Sequence, residues 1–285
     1  MSNDHSRVHV AVENEIADMA DPTVSLLVHF GSEVRLERER LGMSRTELGK
    51  EACCGYSLVA KIEAGKRVPP LDYAEACDRT FAHSQGRFVR LWPLVLRHAF
   101  PPWFRQYAEL EWTTAALRMF HPQLLPGIVQ TEEYARAVLR SGRPTNLEEL
   151  VTARIERQRI LERDDPTRLW IILNESVLRN TVGSEAVMRK QLSSLQDLAR
   201  TPPHVVQIIP DSDRHHGWGS PFGLLSFDEG ADVTHVDGFP RGYLLAEADD
   251  VRTASNAYDL LTAMAAPPDE SADMIASIVE DRYPC

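Results

Sequence analysis

Apolar residues recur three and four positions apart through residues 29–83, a spacing that predicts a set of short amphipathic α-helices. Within this stretch Ser44 stands three positions before Glu47, the pattern of a capping box at the start of a helix. A tight turn, Cys53-Cys54-Gly55, separates this helix from a second one that we predict from Tyr56 to Ala64. The pattern therefore predicts two consecutive short helices joined by a turn.

Two such helices are typical of a helix-turn-helix, whose second helix enters the major groove of duplex DNA. Lys61 could donate to a guanine edge, and Arg45 and Thr46, at the start of the first helix, could meet phosphates. Gly65 is a residue typical of helix ends. We expect the DNA contacts to come from eight residues: Arg45, Thr46, Tyr56, Ser57, Leu58, Lys61, Lys66 and Arg67. A plain helical hairpin without a role in DNA binding is the alternative interpretation.

The pattern changes after residue 83. The apolar spacing in residues 84–120 predicts a helical connector, with one helix from Gln85 to Ala99 and another over about residues 103–116. Residues 121–285 predict helices that alternate with short apolar strands. We place the strands at 169–173, 205–209, 222–227, 233–236 and 243–246, and the helices at 132–140, 147–163, 184–199, 249–265 and 269–281. The predicted fold class is α+β: an all-α helix-turn-helix domain at 29–83 and a C-terminal α/β domain with a mixed or antiparallel sheet.

The net charge of the chain, −11 at pH 7, is unusual for a protein that binds DNA. Residues 29–68 hold eight basic and six acidic residues, a net charge of +2. Residues 1–28 carry −4, and we expect them to form a mobile acidic tail; the remainder carries −9. The acidic bulk should suppress non-specific binding to DNA, or it could dock a basic partner.

The four cysteines, Cys53, Cys54, Cys77 and Cys285, have neither the spacing of a zinc site nor that of a disulfide framework. We interpret them as reduced thiols, with a redox sensor in the turn as the alternative. No apolar run approaches the length of a membrane span, and the N-terminus lacks a signal-peptide pattern. The expectation is a soluble, cytoplasmic protein without a membrane partner.

The helix-turn-helix segment resembles the phage-repressor-like family (Cro/CI type, or XRE). The matching elements are Gly42-Met43-Ser44, Glu47-Leu48, Ala52, Ser57, Lys61-Ile62-Glu63 and Gly65-Lys66-Arg67. In that family one further helix precedes the pair, as Phe30–Leu41 would, and one follows, as Leu71–Phe81 would. This chain departs from the family at three places: Arg45 replaces the usual Gln, Gly49 the usual Ala, and Cys53-Cys54-Gly55 the usual Gly-Val-Ser.

The rest of the chain resembles the WhiJ-like regulators of actinobacteria, in which such a helix-turn-helix precedes a domain called DUF5753 (Scr-family antitoxin-like). The resemblance rests on five motifs in order: 125–135 (LPGIVQTEEYA), Arg154-x-x-Arg157-Gln158, 174–179 (NESVLR), Met188-Arg189-x-Gln191-Leu192 and 207–210 (QIIP). It implies a transcriptional regulator of development or secondary metabolism. It also implies a small partner protein of the DUF397 type, encoded by a neighbouring gene.

Two groups in the second half are candidates for a ligand or partner site. Arg154, Arg157 and Gln158 share one helix face and could bind a carboxylate or phosphate; the alternative is a structural ion-pair cluster with Glu175 as a candidate member. Glu175 and Arg179 have the spacing of a local helix pair. His215, His216 and Trp218 lie in a Gly-rich segment that could face a ligand or partner, could bind metal, or could be plain surface.

No nucleophile elbow, phosphate-binding loop or dinucleotide fingerprint occurs, so we expect no enzyme, no cofactor and no metal. The expected function is that of a sequence-specific DNA-binding transcriptional regulator that binds double-stranded DNA as a homodimer. Its C-terminal domain would receive a small-molecule effector or a protein signal. The alternative is an antitoxin-like protein that sequesters a DUF397-type partner and autoregulates its operon.

Overall fold

A computed structural model describes residues 25–100, 102–211 and 219–284, and the chain divides into two compact units. The first unit holds the described residues up to 100 together with Glu148–Glu156; the second holds Pro102–Leu147 and the described residues from Arg157 onward. The acidic tail expected at 1–28 lies outside the described residues except for 25–28. Of these, Leu26 already begins the first helix.

The first unit is formed mainly by five helices. Their bounds are Leu26–Arg40 (α1), Arg45–Glu51 (α2), Tyr56–Glu63 (α3), Leu71–Thr80 (α4) and Arg87–Ala99 (α5). The predicted capping box is confirmed: Glu47 N donates to Ser44 Oγ at 3.2 Å and Ser44 N to a Glu47 carboxylate oxygen at 2.6 Å. The predicted apolar stripe is buried at Phe30, Val34, Leu48, Val59, Ile62, Phe81, Phe88 and Trp92. Burial of these side chains is the main stabilising contribution in this unit.

Helices α1, α2 and α3 end in the same hydrogen-bond pattern, in which the second residue beyond the cap donates back to a carbonyl of the last turn. The three donors are Met43, Cys54 and Lys66, at 3.0, 2.7 and 2.8 Å from the carbonyls of Arg38, Gly49 and Lys61. The residue before each donor has a positive φ: +65° at Gly42, 51° at Cys53 and +63° at Gly65. Cys53 therefore holds a left-handed conformation that normally favours glycine.

The second unit is built on a six-stranded sheet. The strands are Ala116–His121 (β1), Arg168–Asn174 (β2), Val205–Ile209 (β3), Phe222–Ser226 (β4), Val233–Val236 (β5) and Tyr243–Leu245 (β6), in the spatial order β3-β2-β1-β4-β5-β6. Strands β1, β2 and β3 pair in parallel, and β4, β5 and β6 add to β1 as an antiparallel meander. The predicted mixed sheet is confirmed.

Helices cover both faces of this sheet. They are Pro102–Thr113 (α6), Glu132–Ser141 (α7), Glu175–Arg179 (α9), Glu185–Ala199 (α10), Ala248–Met264 (α11) and Pro268–Arg282 (α12), while Leu147–Arg157 (α8) belongs mostly to the first unit. Successive residues of a strand point to opposite faces. Leu117 and Met119 of β1 pack in a core with α6, α7, α10 and α12, whereas Phe120 packs with Tyr258 and Leu261 of α11.

The structure differs from the sequence-based expectation at two elements. Residues 116–121 form a central strand, which the pattern did not predict, since a helix was expected to reach residue 116. The helix expected over 147–163 ends at Arg157 and continues as a 3-10 turn at Gln158–Leu161. Among the described residues, no helix is long and apolar enough to cross a membrane.

Candidate nucleic-acid interface

The carboxylate of Glu63, the last residue of α3, is buried with only 1% of its side chain exposed. It accepts from Arg38 of α1 through both oxygens, at 2.5 and 3.1 Å, and from Arg45 Nε of α2 at 2.7 Å. Arg38 also donates to the carbonyl of Met43 at 2.8 Å. The hydrogen bonds to Glu63 raise the pKa of Arg38 and of Arg45. This network ties the three helices of the predicted DNA-binding segment together through one buried charge.

Arg45 also reaches the first residue of α3. Its terminal nitrogen donates to the Tyr56 hydroxyl at 3.3 Å, and its guanidinium lies 5.9 Å from the centre of the Tyr56 ring. We expected Arg45 to meet a DNA phosphate. The structure shows that Glu63 partly compensates its charge and that Arg45 fixes the start of α3.

Two glycines let the helices approach closely. A Cβ at Gly31 of α1 would lie 2.2 Å from the carbonyl oxygen of Ile62, and one at Gly49 of α2 would lie 2.7 Å from that of Cys54. The absence of a Cβ at Gly49 therefore lets the backbone of the turn at Cys54 pass close to α2. Both sites exclude any larger side chain unless the backbone moves.

Helix α3 has one buried and one exposed face. Val59 and Ile62 are fully buried, whereas Tyr56 is 55% exposed and Ser57 and Lys61 are also exposed. Leu58 and Ala60 are half-buried. Tyr56 and Ser57 lie at the N-terminus of the helix, where the second helix of a helix-turn-helix contacts base edges, and Lys61 lies in its last turn. Thr46, at the start of α2, is exposed as well.

Positive charge without an internal partner is concentrated around α3. Within the residues that the structure describes, Lys61, Lys66 and Arg67 make no ion pair. By contrast, Arg35, Arg40 and Arg87 pair with glutamates of α1. Lys61, Lys66 and Arg67 lie in the last turn of α3 and just after it, and they are therefore available to neutralise phosphates.

Sequence comparison agrees with this geometry. A helix-turn-helix domain family matches residues 29–87, and the domain of unknown function DUF5753 matches residues 104–277, more than half of the chain. The chain belongs to the DUF5753 family. No curated protein and no solved structure matches it significantly. The helix-turn-helix match identifies this DUF5753 protein as a DNA-binding regulator.

In the DUF5753 domain, Arg157 is not available to an external anion. Its Nε lies 2.8 Å from Glu111 Oε2, an ion-pair distance, although the N–H does not point at that oxygen, and both side chains are buried. Its guanidinium lies 5.1 Å from the ring centre of Phe104, and Glu111 accepts from the Tyr107 hydroxyl at 2.9 Å. Arg157 thus forms a structural ion pair, the alternative to an anion-binding site, and its partner is Glu111 rather than Glu175.

The other candidates of this domain are also held by internal contacts. Gln158 donates to the carbonyls of Gly127 and Gln130 at 3.2 and 2.7 Å. Glu175 pairs with Arg179 at 2.6 Å, which confirms the predicted local helix pair, and accepts from the backbone N of Asp211 at 2.9 Å. Arg154 also has an internal interaction. The structure therefore does not bring Arg154, Arg157, Gln158 and Glu175 together as one open anion site.

The candidates His215, His216 and Trp218 lie outside the described residues. Among the residues that are described, no group of three or more histidines, cysteines or acids is placed to hold a metal ion. Burial raises the pKa of the Cys54 and Cys77 thiols, which disfavours a reactive thiolate at either position.

Two histidines of the DUF5753 domain interact with each other electrostatically: His235, which is buried beside α6, and His121, which is half-buried. The His235 ring lies against Tyr107, with 4.1 Å between ring centres, and its Nδ1 is 3.8 Å from Asp237. Burial lowers the pKa of His235, and it lowers the pKa of His121, at the end of β1, to about 4. Asp237 opposes both shifts, and Arg157 adds to them. Both imidazoles are therefore neutral at physiological pH.

Sequence reasoning missed the network around Glu63. A signal was present, because Glu63 follows the buried Val59 by four positions and so lies on the inner face of α3. An acid on an inner face requires a cation partner. The identity of that partner, Arg38, twenty-five positions earlier, could not be read from local spacing.

Proposed function

We propose that this DUF5753 protein is a sequence-specific transcriptional regulator whose helix α3 reads the major groove of double-stranded DNA. One observation carries the proposal. The exposed face of α3, with Tyr56 and Ser57 at its start and Lys61 in its last turn, is fixed to α1 and α2 by the buried carboxylate of Glu63. A rigid helix that presents polar side chains and unpaired cations is what direct readout of bases needs.

The side chains divide into two roles. We assign base contacts to Tyr56, Ser57, Leu58 and Lys61, and phosphate contacts to Thr46, Lys66 and Arg67. Arg45 is assigned a positioning role through Tyr56, in addition to any phosphate contact made by its remaining N–H groups. The function requires no catalytic step, cofactor or metal.

The test is a binding titration of the full chain against its own upstream DNA and against random duplex, at several salt concentrations. Lys66→Ala should weaken both complexes by a similar factor and reduce the slope of log affinity against log salt by about 0.9. Lys61→Ala should weaken the specific complex about 5- to 150-fold and the random complex far less.

Lys190→Ala is the matched control, since Lys190 lies in the second unit and pairs with Glu133 at 2.7 Å. It should leave both affinities unchanged. Equal losses on specific and random DNA for Lys61→Ala and Lys66→Ala would contradict the division of roles. No binding to any duplex would contradict the function itself.

We further propose that the DUF5753 domain receives a signal, from a small molecule or a protein, that biases DNA binding by a dimer. One helix-turn-helix buries too little surface for a specific operator, so two copies on paired half-sites are expected. Titration of DNA binding with and without the neighbouring gene's product tests this role. An affinity that the product does not change would argue against a protein signal.

A second candidate function is that of an antitoxin-like protein that sequesters a basic partner of the DUF397 type. The charge of −9 on residues 69–285 favours it, because an acidic surface attracts a basic protein. Co-purification of the full chain with the neighbouring gene's product, retained in the Lys61→Ala variant, would support sequestration as a separate activity. Absence of a complex would remove this candidate.

A further inference from the structure

The two edge strands of the six-stranded sheet differ in whether the backbone groups on their outer side are hydrogen-bonded. At the β3 edge, the carbonyl of Ile208 accepts from Ala266 N at 2.8 Å and its N–H donates to Ser271 Oγ at 3.0 Å. At the opposite edge, β6 pairs with β5, and within the described part of the chain its backbone makes no hydrogen bond on its outer side. An edge strand left open is a template for pairing with another strand.

The residues along this open edge expose both charge and apolar surface. They are Arg241, Tyr243, Leu244, Leu245, Ala246 and Glu247, whereas Gly242 is buried. Tyr243 is 54% exposed, and Phe239, in the turn that leads into the strand, is fully exposed. Arg241 and Glu247 are exposed, and neither side chain has an ion-pair partner among the described residues. Leu244, by contrast, packs on the core that includes Leu117 and Met119.

This segment is complementary to a second copy of itself. When two antiparallel copies are centred on Leu244, residue 241 of each strand faces residue 247 of the other, and 243 faces 245. Arg241 would then face Glu247 twice, and Tyr243 would face Leu245 twice. Side chains alternate along a strand and Glu247 keeps an extended backbone, with φ −68° and ψ 133°, so these four residues share one face of the sheet.

We infer that the chain forms a two-fold dimer by antiparallel pairing of β6 with β6 of a second copy. The occupant of the open edge is a second copy rather than an unrelated strand, because the opposite charges fall at equal distances on either side of Leu244. The inference rests on the proposed function to the extent that paired half-sites require two copies. It adds the surface through which those copies associate.

A charge-swap series on the full chain tests the inference, with the dimer dissociation constant measured by analytical ultracentrifugation at low salt. Arg241→Glu and Glu247→Arg should each weaken the dimer about tenfold or more, because both symmetry-related pairs become repulsive. The double variant should return the constant to within about threefold of the parent, since the pairs are restored in reverse.

Glu229→Arg is the matched control, because Glu229 is exposed in the turn between β4 and β5 and undergoes the same charge change as Glu247→Arg. It should leave the dimer unchanged. Glu247 is the N-cap residue of α11, but its side chain makes no capping hydrogen bond. Its replacement therefore removes no hydrogen bond from the start of that helix. Far-UV circular dichroism and the unfolding temperature of each variant confirm that it is folded.

Three results would overturn the inference: a monomer at every concentration, a dimer indifferent to both single variants, or a double variant as weak as the singles. Its failure is separable from failure of the proposed function. A monomer that still binds upstream DNA specifically would remove the dimer surface and keep the regulator. A charge-sensitive dimer that binds no duplex would do the opposite.

Discussion

At the level of single residues, the Glu63 carboxylate joins two guanidinium groups that come from different helices. The Arg38 side chain is 9% exposed and that of Arg45 is 32% exposed, so the first pair is dry and the second is partly hydrated. A buried charge is costly unless it is paired, and removal of one partner leaves the other without compensation. The neutral form of residue 63 would therefore leave Arg38 desolvated, with only the longer contact to the exposed Glu39, at 3.4 Å, as an ion pair.

We predict that Glu63→Gln lowers the stability of the helix-turn-helix by about 3 kcal/mol, the usual cost of breaking a buried ion pair. Glu39→Gln is the control, because Glu39 pairs with Arg35 and Arg38 at the surface, and its replacement should leave stability nearly unchanged. Hydrogen exchange of the α1–α3 amides, followed by mass spectrometry of the full chain, measures both. Equal protection in the two variants would refute the role given to Glu63.

At the level of helices and strands, α1 and α3 end in the same way, each with a glycine of positive φ. Comparing these two glycines distinguishes the energetic cost of the backbone conformation from the cost of crowding by neighbouring atoms. A Cβ at Gly42 would meet nothing within 4 Å, whereas one at Gly65 would lie 2.6 Å from Val28 Cγ2 and 2.9 Å from its Cα. Both glycines have nearly the same positive φ. The two sites thus differ in crowding alone.

Gly42→Ala should destabilise the first unit by about 1 kcal/mol, the cost of a left-handed L-residue. Gly65→Ala should cost at least about 2 kcal/mol, because the new Cβ also displaces the α1 backbone at Val28. The thermal midpoint of the unit, measured by calorimetry on the full chain, gives both values. If Gly42→Ala were as damaging as Gly65→Ala, packing against Val28 would not be the reason.

Local pattern predicted most elements of the fold, and β1 shows where it fails. The sequence Ala-Leu-Arg-Met-Phe-His at 116–121 has no β-branched residue and contains good helix formers. It is a strand because β2 and β4 pair with it on either side. Strands 205–209 and 233–236, rich in valine and isoleucine, were predicted with their observed bounds.

The candidate sites likewise include some residues that local spacing placed correctly and others whose contacts it could not predict. Spacing alone placed Tyr56, Ser57 and Lys61 on a helix whose outer face the structure leaves exposed. Spacing also grouped Arg154, Arg157 and Gln158, yet the ion-pair partner of Arg157 is Glu111, which lies on α6. Contacts between residues far apart in the chain depend on the packed fold, so no local pattern reveals them.

For the molecule as a whole, His121 and His235 of the DUF5753 domain make stability depend on pH, because both have a lowered pKa. Below about pH 6.5 the imidazole is protonated in the unfolded chain but stays neutral in the folded domain. Acidification therefore favours the unfolded chain, so the free energy of unfolding is highest above about pH 6.5 and falls as the pH is lowered. For His121 the loss extends from about pH 6.5 down to its folded pKa of about 4. Protonation there would also place charge near His235 and Arg157.

We predict that protonation of His121 lowers the free energy of unfolding of this domain by about 1–2 kcal/mol between pH 6.5 and pH 4. This is less than the full shift implies, because the residue is partly exposed. His121→Gln should remove that part of the pH dependence, while His83→Gln, at an exposed histidine of the first unit, should keep it. Urea unfolding at several pH values measures the slopes, and identical slopes for all three proteins would contradict the prediction.

The first unit is not continuous in the sequence, since Glu148–Glu156 belongs to it and the Glu156 side chain accepts from the backbone N of Leu71 at 3.3 Å. During synthesis, the helix-turn-helix therefore leaves the ribosome well before the segment that completes its unit. Ribosomes add about 5–20 residues per second, so the wait from residue 101 to residue 156 lasts several seconds. Throughout that interval α1–α5 lack the contacts that Glu148–Glu156 makes in the folded unit.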